Sequence, residues 1–152
     1  MLDNVSMERL ALVHPVLSTR VQNLAAQLDF PLRVTQGIRS VAEQDVLYEQ
    51  GRTTPGPIVT NAKGVESNHV MGVAVDVVPM DLQDGDPDWN PAHTAWQQIV
   101  ALAHVCGLRN GISWKDEPHL ELVEVPKVPS GEMQSVYLQA GVEAVWSELN
   151  IT

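Results

Sequence analysis

The chain has 152 residues, of which 44% are hydrophobic and 18% charged, and its formal net charge at pH 7 is −10. This composition predicts one soluble domain over residues 1–152 and disfavours disorder. The acidic balance disfavours a nucleic-acid partner because phosphate binding needs a basic surface, and no apolar stretch approaches the roughly 18 residues of a membrane span. We therefore expect a monomer that neither binds nucleic acid nor inserts into a membrane.

The N-terminus and the single cysteine exclude further possibilities. Residues 1–8 contain neither a basic start nor an apolar run, so we expect a protein made in the cytoplasm without a signal peptide. Cys106 is the one cysteine, which excludes an intramolecular disulfide and a metal site built from several thiolates. Its apolar surroundings predict a buried, inert thiol on a helix face.

The first half of the chain predicts three helices and one strand. Pro15 is suited to the first position of a helix. The Ser40 to Glu43 segment has the pattern of a capping box, and Gly51 favours a helix end. The predicted elements are a helix at Met7–Val13, a helix from Pro15, a strand within Phe30–Ile38, and a helix from Ser40 through Gln50.

The second half predicts two strands and two helices. A β-branched run before and after Asp76 is typical of a buried strand. The predicted elements are this strand at Val73–Val78, a helix from Asn90 to Gly107, a strand at Leu120–Val123, and one final helix at Gly131–Leu149. Separated helices and short strands predict an α+β fold.

Two histidines and a carboxylate carry the strongest functional signal. The segment from Ser67 to Asp76 reads S-x-H-x-x-G-x-A-x-D, and His119 follows within D-E-P-H-L-E. His69, Asp76 and His119 would make a three-ligand zinc site with a fourth position open for water. Such a zinc ion lowers the pKa of bound water from about 15.7 to near 7. The pattern predicts a metallohydrolase with one Zn²⁺ per chain.

The residues around each ligand fit this prediction. A bare aspartate inside a buried strand is costly unless it is paired or bound to a metal. Gly72, just before the strand of Asp76, permits a sharp turn that brings His69 back beside it.

Asp116 is the carboxylate left over to accept the proton of a bound water. Asp116 and His119 would point to opposite faces of a straight strand, so both reach one metal only if the chain turns or bulges before Leu120. Pro118 disfavours a helix here. Glu117 is a rival for the role of base.

Three further segments extend the pattern beyond the metal motif. They are V-H-P-V-L from Val13, T-Q-G-I-R-S from Thr35, and E-Q-x-x-L-Y-x-Q-G-R-T-x-P-G-x-I-V-T from Glu43. Together with the metal motif they resemble the zinc peptidases of bacterial cell-wall peptides. This group contains the VanY-type D-alanyl-D-alanine carboxypeptidases and the L-alanyl-D-glutamate endopeptidases of bacteriophage endolysins. The resemblance covers about residues 10–124 and leaves 126–152 as a C-terminal helical extension.

The resemblance implies a hedgehog/DD-peptidase-like fold, with a small, mostly antiparallel sheet flanked by helices. Its substrate would be peptidoglycan stem peptides, and the Gln50–Thr60 segment favours the L-alanyl-D-glutamate bond. It implies these roles: zinc ligands His69, Asp76 and His119, general base Asp116, and Arg39 as the cation that faces the scissile carbonyl. Action would be at the cell wall or periplasm, after release through a phage-type membrane lesion.

Two alternatives stay open. A D-alanyl-D-alanine carboxypeptidase or dipeptidase would use the same metal centre. A non-catalytic, zinc-stabilised binding module, as in the hedgehog signalling domains, would hold zinc without hydrolysis. Asp116 and Arg39 disfavour the binding module because neither is needed to hold zinc. Arg39 has its own alternative, a structural salt bridge at a strand end.

Three residues near the ligands have open roles. Glu121 shares a strand face with His119 and either orients its imidazole or is an exposed strand carboxylate. Ser67 is expected to hydrogen-bond within its loop. Trp114 either lines a cleft or packs in the core.

The other polar features have structural interpretations. His14, His93 and His104 lack ligand partners. The acidic segment 81–90 resembles a calcium loop, but Trp89 and Ala95 occupy the positions where an EF-hand needs glycine and glutamate. We therefore expect a solvated acidic loop that caps the next helix.

Overall fold

The computed structural model describes residues 1–152 as six α-helices and one four-stranded antiparallel sheet. The helices are α1 Asn4–Leu10, α2 Pro15–Gln27, α3 Val41–Glu49, α4 Thr94–Val105, α5 Gly131–Ala140 and α6 Val142–Leu149. The strands are β1 Leu32–Gln36, β2 Ala74–Pro79, β3 Leu108–Gly111 and β4 Asp116–Leu122, in the order β1-β2-β4-β3. None of the helices has the length and apolar character that crossing a membrane requires. The predicted α+β fold with a small antiparallel sheet is confirmed.

The two faces of the sheet differ in polarity. Side chains alternate between faces along a strand, so directly paired residues share a face. Val75 pairs with Leu120, and both are fully buried in an apolar core that includes residues of α2 and α4. On the other face Asp76 pairs with His119, and Ala74 with Glu121. The sheet therefore places two of the expected ligands side by side on its polar face.

A bulge in β4 brings Asp116 to that face as well. Asn110 of β3 pairs with Leu120, whereas its neighbour Gly111 pairs with Asp116, so three residues of β4 bulge between these pairs. The Asn110 side-chain amide donates to the carbonyls of Glu117 (2.7 Å) and His119 (3.1 Å) within the bulge. The turn or bulge that a shared metal requires is present.

The bulge also depends on a glycine. A Cβ on Gly111 would lie 2.2 Å from the Asp116 carbonyl oxygen, closer than any side chain tolerates. The predicted strand Leu120–Val123 therefore begins earlier, at Asp116, and Pro118 is accommodated because a bulge needs no ladder hydrogen bond from it. Strand β3 has no counterpart in the prediction.

Helix starts agree with the sequence where a cap is strong. The capping box of Ser40 and Glu43 is present at α3, and α2 begins at Pro15 with the His14 side chain accepting from the Val16 amide. The first helix was predicted at Met7–Val13, but α1 spans Asn4–Leu10 because Asp3 caps it.

Helix α4 begins at Thr94, later than the predicted Asn90. The Asp88 carboxylate accepts from the Asn90 amide, and the Asn90 side chain accepts from the Ala92 amide, so these side chains stabilise turns instead of a helix. Within segment 81–90, Asp81 likewise accepts from the Gln83 amide. The acidic side chains of this loop thus bind its own backbone.

Cys106 differs from its prediction. It lies at the C-cap of α4 and is half-buried, not buried on a helix face. Its Sγ atom is 3.2 Å from Gln27 Nε2 at the end of α2, so the thiol contributes to the contact between these helices.

The C-terminal segment forms two helices where one, Gly131–Leu149, was predicted. Gly141 separates them with a φ of +87°, a conformation that side chains other than glycine rarely adopt. Met133 of α5 and Val145 of α6 are buried in the apolar core of the domain. This packing joins the C-terminal helices to the body of the fold.

Trp146 of α6 contacts the turn that carries the metal motif. Its Nε1–H donates to the Met71 carbonyl oxygen (2.8 Å). Gly72 has a φ of +66°, and a Cβ there would lie 2.7 Å from Trp146 Cζ2. The ring of His14 packs edge-on against the indole, with 5.5 Å between ring centroids, and the His14 amide donates to the Gly72 carbonyl. The turn is thus held between α2 and α6.

We expect Trp146→Ala to lower the free energy of unfolding by about 2–4 kcal/mol because it removes ring packing and a hydrogen bond. Leu138→Ala is the control, since Leu138 lies on the same helix pair and is 70% exposed. It should change stability by less than about 0.5 kcal/mol. Urea unfolding of the metal-free proteins measures both, and equal stabilities would contradict the role of Trp146.

Candidate metal centre

The sheet and one turn bring the three expected ligands together. Asp76 of β2 and His119 of β4 are directly paired. His69 lies in the turn before β2, where the Gly72 amide donates to the His69 carbonyl. Ser67 Oγ accepts from the His69 amide (3.2 Å), which is the local hydrogen bond expected of it. The nitrogen and oxygen atoms that these side chains offer lie within 4.8 Å of one another.

The carboxylate lies between the two imidazoles. Asp76 Oδ1 is 3.2 Å from His69 Nε2 and 3.7 Å from His119 Nδ1. The two imidazole rings meet edge-on, with 5.2 Å between their centroids.

In each imidazole, the outer nitrogen, which faces away from Asp76, has a hydrogen-bond partner, and the inner nitrogen faces Asp76. His69 Nδ1 is 3.1 Å from the Gly37 carbonyl oxygen, which can only accept, so this nitrogen carries the proton. His119 Nε2 is 2.8 Å from Glu121 Oε2, a carboxylate that accepts in the same way. When both rings are neutral, their inner nitrogens therefore present lone pairs toward Asp76. Outer partners that fix the tautomer in this way are typical of metal-bound histidines.

His69, Asp76 and His119 fit a metal ion because the Asp76 carboxylate oxygen between the two imidazoles has no hydrogen-bond donor. Asp76 Oδ1 is shielded from solvent and accepts no hydrogen bond. An unpaired buried acceptor of this kind is costly, and a cation between the three side chains would satisfy it. Two imidazole nitrogens and one carboxylate oxygen are also donors that divalent transition metals bind.

The pKa values of Asp76 and His119 show the same preference for positive charge. Burial acts to raise the pKa of the Asp76 carboxyl, but the neighbouring imidazoles outweigh burial and hold this pKa well below its usual range. Burial acts to lower the pKa of His119, but Asp76 and Glu121 outweigh it and raise this pKa to about 9. The space between these side chains therefore stabilises a cation.

Glu121 is buried, which differs from the alternative of an exposed carboxylate. It is 1% exposed and accepts from Arg109 Nε (2.7 Å) and Asn68 Nδ2 (2.8 Å) as well as from His119. Burial acts to raise the pKa of Glu121, but these partners lower it below its usual value, so the carboxylate stays charged. Glu121 is thus a fixed acceptor that orients the His119 ring.

Two partners of Glu121 were not found from the sequence. Asn68 stands beside His69 in the motif, but its spacing does not show that it turns toward β4. Arg109 lies opposite Glu121 on β3, a strand that the sequence did not predict. Its opposite charge would have indicated the pair once the two strands were aligned.

Arg39 lies beside the ligand carboxylate. Its Nη2 is 3.3 Å from Asp76 Oδ2, and its Nη1 is 3.2 Å from Oε1 of Gln44, which is fully buried. The Arg39 amide also donates to the His69 carbonyl (3.1 Å). The guanidinium is 12% exposed and lines the same cavity as the ligands. Arg39 thus forms its ion pair with Asp76, and both side chains line the cavity.

Asp116 lies at the edge of the ligand group. Its Oδ2 is 3.8 Å from His119 Nδ1, and its side chain is 47% exposed. Burial, followed by the charge of Asp76, raises the pKa of the Asp116 carboxyl. Glu117 does not line the cavity. The structure thus brings Asp116, and not Glu117, to the ligands.

A cavity of about 860 Å³ opens over the ligands, a size that suits a small peptide. Its walls include Ile58 and Val59 of the loop after α3 and Trp114 of the segment before β4. Trp114 is 38% exposed and its ring meets His119 edge-on, with 5.8 Å between centroids. Of its two expected places, Trp114 occupies the cleft and not the core.

The other histidines lie away from the ligands. His14 is buried as the cap of α2, whereas His93 and His104 are exposed at the start and in the last turn of α4. His69, Asp76 and His119 are the one group of three or more potential ligands in the chain.

The fold and the site together define a metal-dependent peptidase, and comparisons with known proteins agree. A family model described as D-alanyl-D-alanine carboxypeptidase matches residues 60–122. The chain is 36% identical over 124 residues to the peptidoglycan L-alanyl-D-glutamate endopeptidase CwlK of Bacillus subtilis (strain 168), covering 73% of this chain and 74% of that protein. The chain therefore belongs to the peptidoglycan metallopeptidase family that both matches indicate, which confirms the resemblance seen in the sequence.

Solved structures support the fold. The L-Ala D-Glu endopeptidase ChiX of Serratia marcescens matches with a TM-score of 0.60 and 28% identity, covering 80% of this chain and 90% of that chain. The L,D-carboxypeptidase DacB from Streptococcus pneumonia matches with a TM-score of 0.52 and 21% identity, covering 90% and 72% of the two chains. The second likeness concerns the fold alone.

We expect the purified protein to hold about one metal ion per chain and His119→Ala to lose it, because two ligands hold a metal far more weakly than three. His104→Ala removes an exposed helix histidine away from the site and is the control. Elemental analysis, with circular dichroism to verify folding, measures the effect. Undiminished metal in folded His119→Ala would show that the ligand set is wrong.

Proposed function

We propose that the protein is a zinc endopeptidase that hydrolyses the L-alanyl-D-glutamate bond of peptidoglycan stem peptides. The observation that carries the proposal is the convergence of His69, Asp76 and His119 beside Asp116 at the floor of an open cavity. The choice of bond is supported by CwlK and ChiX, which are both L-alanyl-D-glutamate endopeptidases. Such an enzyme acts at the cell wall.

Zinc is the metal that this ligand set favours. Catalytic zinc sites in proteins commonly have three nitrogen or oxygen ligands and an open fourth position. A zinc ion bound there would polarise the scissile carbonyl and lower the pKa of a water molecule. The roles of His69, Asp76 and His119 are to hold this ion, and those of Gly37 and Glu121 are to keep the two imidazoles oriented.

Asp116 is the proton carrier in this mechanism. Its carboxylate accepts a proton from the attacking water and returns it to the amine of the leaving residue. The raised pKa of Asp116 favours the first transfer, and its partial exposure toward the cavity gives access to the substrate.

Arg39 supplies a fixed positive charge at the same floor. Gln44 and Asp76 hold its guanidinium in place, so little reorganisation is needed when negative charge develops on the carbonyl oxygen. The ion pair with Asp76 also positions the ligand. In our proposal Arg39 therefore both stabilises the developing negative charge and positions Asp76.

Digestion of purified peptidoglycan tests the proposed bond. We expect mass spectrometry to show new C-terminal alanine and new N-terminal glutamate. Release of free D-alanine would instead identify a carboxypeptidase, the activity after which the matching family model is described. Absence of any new terminus with the metal-loaded protein would favour a binding module and overturn the proposal.

The role of Asp116 is tested by Asp116→Asn, which keeps the shape of the side chain. We expect kcat to fall by about 10²–10⁴-fold while metal content stays unchanged, because the variant cannot accept the proton. Glu117→Gln is the matched control and should retain near wild-type kcat, since Glu117 does not line the cavity. Loss of activity in Glu117→Gln alone would transfer the role of base to that residue.

A further inference from the structure

The cavity contains cations that the mechanism does not use. The chain has 9 lysines and arginines against 19 aspartates and glutamates. Two of its three lysines, Lys115 and Lys127, nevertheless line the cavity over the ligands. The third, Lys63, does not. No lysine of the chain forms an ion pair with a carboxylate.

The backbone of Lys127 is fixed to the metal centre. Asn68 Nδ2 donates to the carbonyl oxygens of Pro126 (2.8 Å) and Lys127 (3.3 Å), and the same amide donates to Glu121. Asn68 is 4% exposed and directly precedes the ligand His69. These hydrogen bonds therefore attach the segment after β4 to the residue that precedes His69.

The side chain of Lys127 has a definite place over the cavity. Its Nζ lies 4.9 Å from the centre of the Trp114 ring, within the range of a cation–π contact. Trp114 in turn meets the ligand His119 edge-on. An aromatic face accepts no strong hydrogen bond, so the three N–H donors of the ammonium stay available to an anion.

We propose that Lys127, held against Trp114, binds the free carboxylate of the substrate residue that follows the scissile bond. This inference rests on the proposed function. A glutamate residue has two carboxyl groups, and when one continues the peptide chain the other stays free. An L-alanyl-D-glutamate substrate therefore carries an anion one residue from the bond that is cut. The enzyme selects acidic stem peptides over those in which this carboxyl group is amidated.

Lys115 is the comparator within the cavity. It follows the 3-10 helix Ile112–Trp114 and precedes Asp116. Its φ of +62° lies in the left-handed region, so the helix ends at this residue. It has no aromatic contact and no backbone anchor of the kind that Asn68 gives Lys127. A carboxylate bound there would have a partner that no other side chain holds in place.

Two synthetic stem peptides that differ in one group test the inference. One has the free glutamate carboxylate and the other has the corresponding carboxamide. We expect wild-type kcat/KM to be on the order of tenfold higher for the carboxylate peptide, the value of one charge-assisted hydrogen bond at a partly exposed site. In Lys127→Met, which keeps the apolar stem over Trp114, this preference should vanish, mainly through a higher KM for the carboxylate peptide.

Lys63→Met is the matched control because it removes the same charge from an exposed position outside the cavity. It should keep the wild-type preference. The inference is overturned if Lys127→Met keeps the preference, if Lys63→Met loses it equally, or if the wild type cuts both peptides at the same rate. If the wild type cuts neither peptide, the proposed function itself fails and the inference with it.

Discussion

The close approach of one carboxylate oxygen and two imidazole nitrogens is the constraint on which the site depends. Asp76 Oδ1 is shielded from solvent and accepts no hydrogen bond, and the inner nitrogens of His69 and His119 lie beside it. Acceptors that lie side by side repel one another, so positive charge between them, from a metal ion or from a proton on His119, stabilises the arrangement. The rest of the site follows from the need to hold these atoms in place.

Charges of alternating sign extend outward from these atoms. Arg109 neutralises Glu121, Glu121 orients His119, and Arg39 pairs with the outer oxygen of Asp76. Each buried charge therefore has an opposite neighbour, which is the condition under which ion pairs persist in a protein interior. The arrangement crosses β3, β4 and β2 and ends in the connection after β1, so three of the four strands contribute side chains to it.

Residue types and spacing were sufficient to predict which side chains would lie close together. His69, Asp76, His119 and Asp116 were predicted in this way and the structure brings them together, whereas Arg39 was indicated by the resemblance. The α+β class followed from the separated helices and short strands, and the antiparallel sheet from the resemblance. Helix α3 was placed well because its capping box is a local signal that needs no tertiary partner.

What the sequence missed depends on contacts between distant segments. Strand β3 is four residues long and half polar, and it forms because Arg109 and Asn110 find partners on β4. The break at Gly141 cannot be told from an ordinary helix glycine without knowing that α6 must turn back onto Gly72. Lys127 lies beyond the segment of family resemblance, and its position is set by Asn68, 59 residues earlier in the chain.

The hydrogen bond between His69 and the Gly37 carbonyl limits how far the metal motif can be moved as a unit. Its acceptor is a backbone oxygen in the connection after β1, and this oxygen has no side-chain identity that a motif could record. Residues 60–122, which carry all three candidate ligands, lack this connection. If residues 60–122 were transplanted into another scaffold, they would lack the Gly37 carbonyl oxygen. This oxygen determines that Nε2 of His69, and not Nδ1, is available to bind a metal. A designer who borrows this centre must therefore copy the backbone path of the connection after β1 along with the side chains.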